Sequence, residues 1–192
     1  HDEKDSTTYN APVPQYHQNI NKSVKGMKLG IPKEYFVAGM EAGVESSIQE
    51  AIRTYEKLGM EIHEVSLPNT KYALPVYYLL LFAEASSNLA RFDGTENAKD
   101  VIDIYLQTRH EGFGDEVKRR IMLGAYALSA GYYDAYYLKA QKVRTLLRQD
   151  FETAFSTVDI LLAPTCPTTA FKLGEKTSDP LEMYLSDIYV VS

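Results

Sequence analysis

The side chains best suited to recognition chemistry lie in Gly112-Phe-Gly-Asp-Glu-Val-Lys-Arg-Arg-Ile121, where a glycine-bracketed turn runs into a basic triplet. On a helix the first and last members of Lys118-Arg119-Arg120 point about 200° apart, so the three cannot share one face. The expectation is that one of them faces inward while its neighbours are solvated. An inward guanidinium must be paired, and its rigid fork suits a carboxylate ligand. An ordinary structural salt bridge is the competing account, and spacing alone favours it. Far along the chain, Asp187 sits among Met183, Tyr184, Ile188 and Val190. A carboxylate partly buried there needs a cation or a hydrogen-bonding shell, with a cap or an exposed position as the plainer alternative.

Other chemistries find little support. His1, His17, His63 and His110 are isolated and lack the spacing of a metal motif. No Gly-x-x-x-x-Gly-Lys-Ser/Thr loop occurs, and no Gly-x-Gly-x-x-Gly follows a strand, so nucleotide binding by this chain is unsupported. Cys166 stands between Thr165 and Pro167 at the end of an apolar run, a place where active-site groups occur. It has no histidine near it in sequence to serve as base, which favours a small buried thiol over a nucleophile. No serine lies in Gly-x-Ser-x-Gly or Ser-x-x-Lys, so no complete catalytic apparatus is visible.

Helices and strands must hold Arg120 and Asp187 in place. Residues 1–26 are polar, with Pro12 and Pro14, and read as a lead-in segment. Met27 to Pro32 is a short strand stopped by proline. Val44, Ile48, Ala51, Ile52, Tyr55 and Leu58 recur at helical spacing, and Gly59 stands where a C-cap glycine belongs. A strand from Met60 to Leu67 follows, which completes a right-handed βαβ crossover. Helices are then expected over 75–89, 97–110, 116–128 and 134–155, the last with Val143, Leu147, Phe151 and Phe155 on one stripe. The run Asp159 to Ala163 reads as a central strand covered on both faces, and 181–190 as a final helix.

The 192 residues suffice for one domain with a sizeable core. Twenty basic against 26 acidic side chains give −6, which argues against a dedicated nucleic-acid surface. A single cysteine excludes an internal disulfide and a thiolate cluster. The apolar run Val76 to Ala83 is too short to span a bilayer. Fifteen tyrosines without a tryptophan suit pocket walls and interfaces, although core packing is the more economical account for most of them.

Several segments, in this order, carry a resemblance: Leu29-Gly-Ile-Pro-Lys-Glu-Tyr35, Glu64 to Thr70, Glu84 to Gly94, Glu111 to Ile121, Ser129 to Leu147 and Pro164 to Asp187. Together they resemble the C-terminal half of the amidase signature family, and Phe171-Lys-Leu-Gly-Glu-Lys176 points to its tRNA-dependent amidotransferase branch. The resemblance implies an α/β fold, a fragment of an α/β/α sandwich with a mixed sheet between helices, over residues 27–192. It implies a glutaminase subunit that serves conversion of Glu-tRNA(Gln) to Gln-tRNA(Gln), in complex with B and C subunits. ATP and magnesium would belong to the B subunit, which also takes most of the tRNA contact, and no cofactor to this chain. The expected location is the bacterial cytoplasm or an organellar matrix or stroma, away from membranes.

By motif position Arg120 resembles the family's carboxylate-binding arginine, Asp187 its ammonium-binding aspartate and Tyr77 its pocket tyrosine. The family's Ser-Ser-Lys catalytic set has no match in these residues, so the chain by itself is expected to be inactive. Relatives are also expected to carry a further loop between Gly94 and Thr95 and strands past Ser192, so an isolated 192-residue form should be poorly stable. A non-catalytic assembly module and a general small-amide amidase are the alternative functions.

Overall fold

The computed structural model describes residues 1–36, 40–92, 98–175 and 180–191. Among them three parallel strands form a sheet in the order β2-β1-β3, with β1 at Lys28–Pro32, β2 at Glu61–Val65 and β3 at Ile160–Leu161. The register sets Leu29 opposite Ile62 on one side and Ile160 on the other. The expected βαβ order is present: α2 (Ala42–Lys57) links the parallel neighbours β1 and β2, following a single turn α1 (Tyr16–Asn19) in the lead-in. Gly59 does end α2 as expected, with φ +90° and its N–H bonded to Glu56 O at 2.9 Å.

The fold class is α/β, as expected, with one change of emphasis in the sheet. The central strand is β1, not the 159–163 run: β3 is only two residues long, and Ile160 is 40% exposed. The described strands are all parallel, and the antiparallel part of a mixed sheet is not among them.

Helix α3 (Ala73–Leu89) is apolar on every side because it lies between two other helices, α5 (Asp115–Leu128) and α6 (Lys139–Phe155). The approach of α5 is set by Gly124. A Cβ there would stand 1.9 Å from Phe82 O, closer than any side chain permits. On α6 the buried stripe runs through Ala140, Leu147 and Ala154, with Val143 and Phe151 packed beside it, while Phe155 is exposed. The phase differs from expectation because Ala154, the smaller residue, meets the layer of Tyr35 and Leu67.

The long helices are extended by π-turns. Thr108–Gly112 continues α4 (Val101–Gln107), and Tyr133–Leu138 leads into α6. The expected final helix is shorter, α7 at Pro180–Leu185, and turns follow through residue 190. Tyr189 anchors that end: it is buried, and its ring meets Tyr35 edge-on at 5.6 Å. Two carboxylates clamp the layers. Asp150 accepts from Asn69 N at 2.7 Å and Asn69 Nδ2 at 2.9 Å, and Glu34 accepts from Leu67 N at 2.9 Å. The junction between Gly94 and Thr95 lies outside the described residues.

Candidate substrate-binding site

Helix α5 begins beyond Gly114 and carries Glu116, Arg119 and Arg120 in its first turns, so the carboxylate meets both arginines at i+3 and i+4 spacing. Arg120 Nε donates to Glu116 Oε1 at 2.9 Å, and Arg119 Nη1 donates to Glu116 Oε2. A third donor arrives from α7: the Tyr184 hydroxyl reaches the same Oε1 at 2.7 Å. Burial works against the charge on Glu116, but the bonds from Tyr184 and Arg120 and the two guanidinium charges outweigh it. The carboxyl is held below its ordinary value. Arg120 shows the same contest: burial lowers its pKa, and Glu116 more than restores it.

The Tyr184 ring lies 4.3 Å from that of Tyr78 on α3, centroid to centroid. The Tyr78 hydroxyl donates to Asp187 Oδ2 at 2.8 Å. One continuous constellation therefore runs from Arg120 through Glu116, Tyr184 and Tyr78 to Asp187, across three helices and the turn after the last. Tyr78 is raised well above the ordinary phenol range, first by burial and then by its bond to Asp187. It stays a protonated donor wherever the protein works.

Both ends keep unused capacity among the described residues. The terminal amino groups of Arg120 make no hydrogen bond, and its side chain is 32% exposed. Asp187 Oδ1 likewise has no donor. A free guanidinium edge of this kind suits a carboxylate, and a free carboxylate oxygen suits an ammonium.

Of the residues singled out from sequence, Arg120 and Asp187 join this constellation. Tyr77 does so only at second hand, through its ring, which meets Tyr78 edge-on at 5.0 Å. Its remaining surface lines a separate groove of about 600 Å³ with Leu80, Arg144, Arg148 and Phe151. Glu116, Tyr184 and Tyr78 were not picked out from sequence. The signal for Glu116 was the i+4 spacing to Arg120; Tyr184 stood out only as a neighbour of Asp187, and nothing local marks Tyr78.

Within the basic triplet Arg119 is exposed, whereas Arg120 and Lys118 are both half-buried, so the expected single inward member is not found. Lys118 reaches His110 O at 3.3 Å and Asp115 at 3.8 Å. The salt-bridge account is also realised, since Glu116 holds Arg120 through Nε.

Cys166 donates weakly to Ser186 O at 3.6 Å and is half-buried. Among the described residues no group of three or more His, Cys, Asp or Glu side chains converges as metal ligands. No helix among them is long and apolar enough to cross a membrane. The tyrosines divide against expectation: Tyr137 packs on the α3–α6 core, whereas Tyr132, Tyr133 and Tyr136 are exposed. Tyr132 and Tyr136 stack on each other, and both rings lie tilted against Tyr126 on the surface.

Comparison with known proteins places the chain in a family. The chain is 60% identical to the A subunit of glutamyl-tRNA(Gln) amidotransferase from Carboxydothermus hydrogenoformans and 59% identical to that from Geobacter metallireducens. Both alignments cover 100% of this chain and 41% of the relative, so the chain spans about two fifths of the length of the curated relatives it matches. The crystal structure of the same amidotransferase subunit from Thermotoga maritima superposes with a TM-score of 0.71 at 40% identity, over 100% of this chain and 38% of that one. The profile of the family described as Amidase matches residues 1–192, and the chain belongs to that family.

Proposed function

We propose that these residues form the glutamine-recognising part of a glutaminase subunit, which supplies ammonia for conversion of Glu-tRNA(Gln) to Gln-tRNA(Gln). The observation that carries the reading is the tethered pair Arg120 and Asp187, each with an unspent polar group. Free glutamine brings an α-carboxylate and an α-ammonium on one carbon. The Arg120 fork offers the carboxylate two parallel N–H donors, and Asp187 Oδ1 offers the ammonium an acceptor. An amide without either charge leaves both protein groups unpaired, which disfavours it.

The Ser-Ser-Lys chemistry implied by the family has no counterpart in these residues, so their role is to bind and orient, while the scissile amide is presented elsewhere in the full-length subunit. The reading assigns ATP and magnesium to a partner B subunit, and assembly to a C subunit. Two of the curated relatives are amidotransferase subunits named from bacteria, a likeness that supports a bacterial cytoplasmic setting over an organellar one.

The test is glutaminase kinetics of the full-length subunit in its complex. Loss of a charge-assisted hydrogen bond is worth about 1.5–3 kcal/mol, so Arg120→Ala should raise the KM for glutamine about 10- to 100-fold. Asp187→Asn should act in the same direction. Both variants should hydrolyse a simple amide without α-substituents no worse than wild type. An unchanged KM for glutamine in both variants would overturn the reading.

A further inference from the structure

Glu116 and Tyr184 belong to no part of the ligand shell described above, yet they join its two ends. Arg120 lies on α5 and Asp187 just beyond α7, 67 residues later in sequence. Among the described residues no backbone hydrogen bond joins these elements. The link is the Tyr184 hydroxyl on Glu116 Oε1, at 2.7 Å, on the oxygen that also holds Arg120 Nε. The second link is the Tyr184 ring against Tyr78, whose hydroxyl holds Asp187.

We propose that Glu116 and Tyr184 are positioning residues that fix the angle between the Arg120 fork and the Asp187 carboxylate, and thereby make the site selective for the L-enantiomer of an α-amino acid; this rests on the glutamine reading. A chiral carbon is recognised when three of its substituents are fixed at once. The fork and the carboxylate fix two of them, and the path of the side chain to the reacting amide fixes the third. If either charge swings, the mirror-image ligand can satisfy both by rotating about its carbon. Glu116 prevents the first swing by occupying Nε, which leaves only the terminal N–H pair of Arg120 for the ligand. Tyr184 prevents the second by tying the segment that carries Asp187 to the helix that carries Arg120. Charge also fits: one carboxylate between two arginines leaves a net positive end where the ligand carboxylate must sit.

Tyr184→Phe removes the hydroxyl and keeps the ring that stacks on Tyr78. Glu116→Gln keeps the acceptor oxygen and removes the charge. In the full-length subunit within its complex, the quantities to measure are the KM for L-glutamine and the inhibition constant of D-glutamine against it. For each variant the preference for the L-enantiomer, read from these two constants, should fall about tenfold, in keeping with one lost hydrogen bond to a charged group. The loss should appear in KM more than in kcat. Neither substitution should lower the preference further when added to Arg120→Ala, because the group being positioned is then gone.

A purely structural role would lower the unfolding midpoint and leave the preference as in wild type. That outcome in both variants, alongside the full effect of Arg120→Ala, overturns this inference alone. An Arg120→Ala variant with unchanged KM for L-glutamine overturns the underlying glutamine reading as well.

Discussion

The hydroxyl of Tyr78 on α3 donates to Asp187 Oδ2 at 2.8 Å, across 109 residues of sequence. This bond holds the proposed ammonium-binding carboxylate against α3, the most buried of the described helices. It also gives the site a dependence on alkaline pH. The Tyr78 pKa is raised in the folded state, first by burial and then by Asp187, from an ordinary value of 10.0. A raised pKa means that the phenol contributes stability fully below pH 10, and that this stability is lost as pH rises beyond it. Tyr78→Phe should therefore be less stable than wild type near neutrality, with the gap narrowing above pH 10. Unfolding midpoints of the full-length subunit measured at pH 8 and at pH 10.5 or above check this.

On the acid side Glu116 gives the opposite sign. Its folded-state pKa is lowered from 4.5, because the bonds from Tyr184 and Arg120 and the nearby guanidinium charges overcome burial. Its contribution is present above pH 4.5 and is lost as pH falls through the depressed folded value. The carboxylate is 41% exposed, so solvent screening keeps the effect small. Glu116→Gln should show a flatter decline in unfolding midpoint between pH 5 and pH 3 than wild type does.

Gly124 sets the distance between the helices that carry Arg120 and Tyr78. An alanine Cβ there would stand 1.9 Å from Phe82 O, and the obstacle is backbone that cannot swing away. Gly124→Ala should destabilise by about 3 kcal/mol, the upper part of the usual range for overpacking. It should also raise the KM for glutamine, since α5 must move off α3. Urea unfolding and glutaminase kinetics on the same preparation measure both effects.

Asp150 offers a contrast away from the site. It holds Asn69 through both oxygens, at 2.7 and 2.9 Å, and so joins α6 to the turn that leads into α3. Asp150→Ala leaves the Asn69 N–H without its acceptor and should cost about 2 kcal/mol of stability. The KM for glutamine should stay as it is, as read by the same two assays.

Sequence patterns revealed the elements better than the site. The crossover β1-α2-β2 and the Gly59 cap followed from local rules, since hydrophobic period and a left-handed glycine are properties of a few neighbouring residues. The rank of β3 did not follow, because an apolar run of a few residues says nothing about which strands flank it. For Arg120, spacing showed only that the basic triplet is split between faces; the family likeness was needed to choose among its members. The bonds of Tyr78 and Tyr184 were invisible because their partners, Asp187 and Glu116, lie 109 and 68 residues away. Of the adjacent pair on α3, sequence position suggested Tyr77, while the helix turns Tyr78 toward Asp187 and Tyr77 toward the groove beside Arg144 and Arg148.

The most direct test of the central claim is a crystal structure of the full-length subunit in its complex, soaked with L-glutamine. The account predicts the α-carboxylate on the terminal amino groups of Arg120, and the α-ammonium on Asp187, at hydrogen-bond distances of about 2.7–3.0 Å. Glutamine bound with its α-carboxylate away from Arg120, or with its ammonium paired to a different residue, would contradict it.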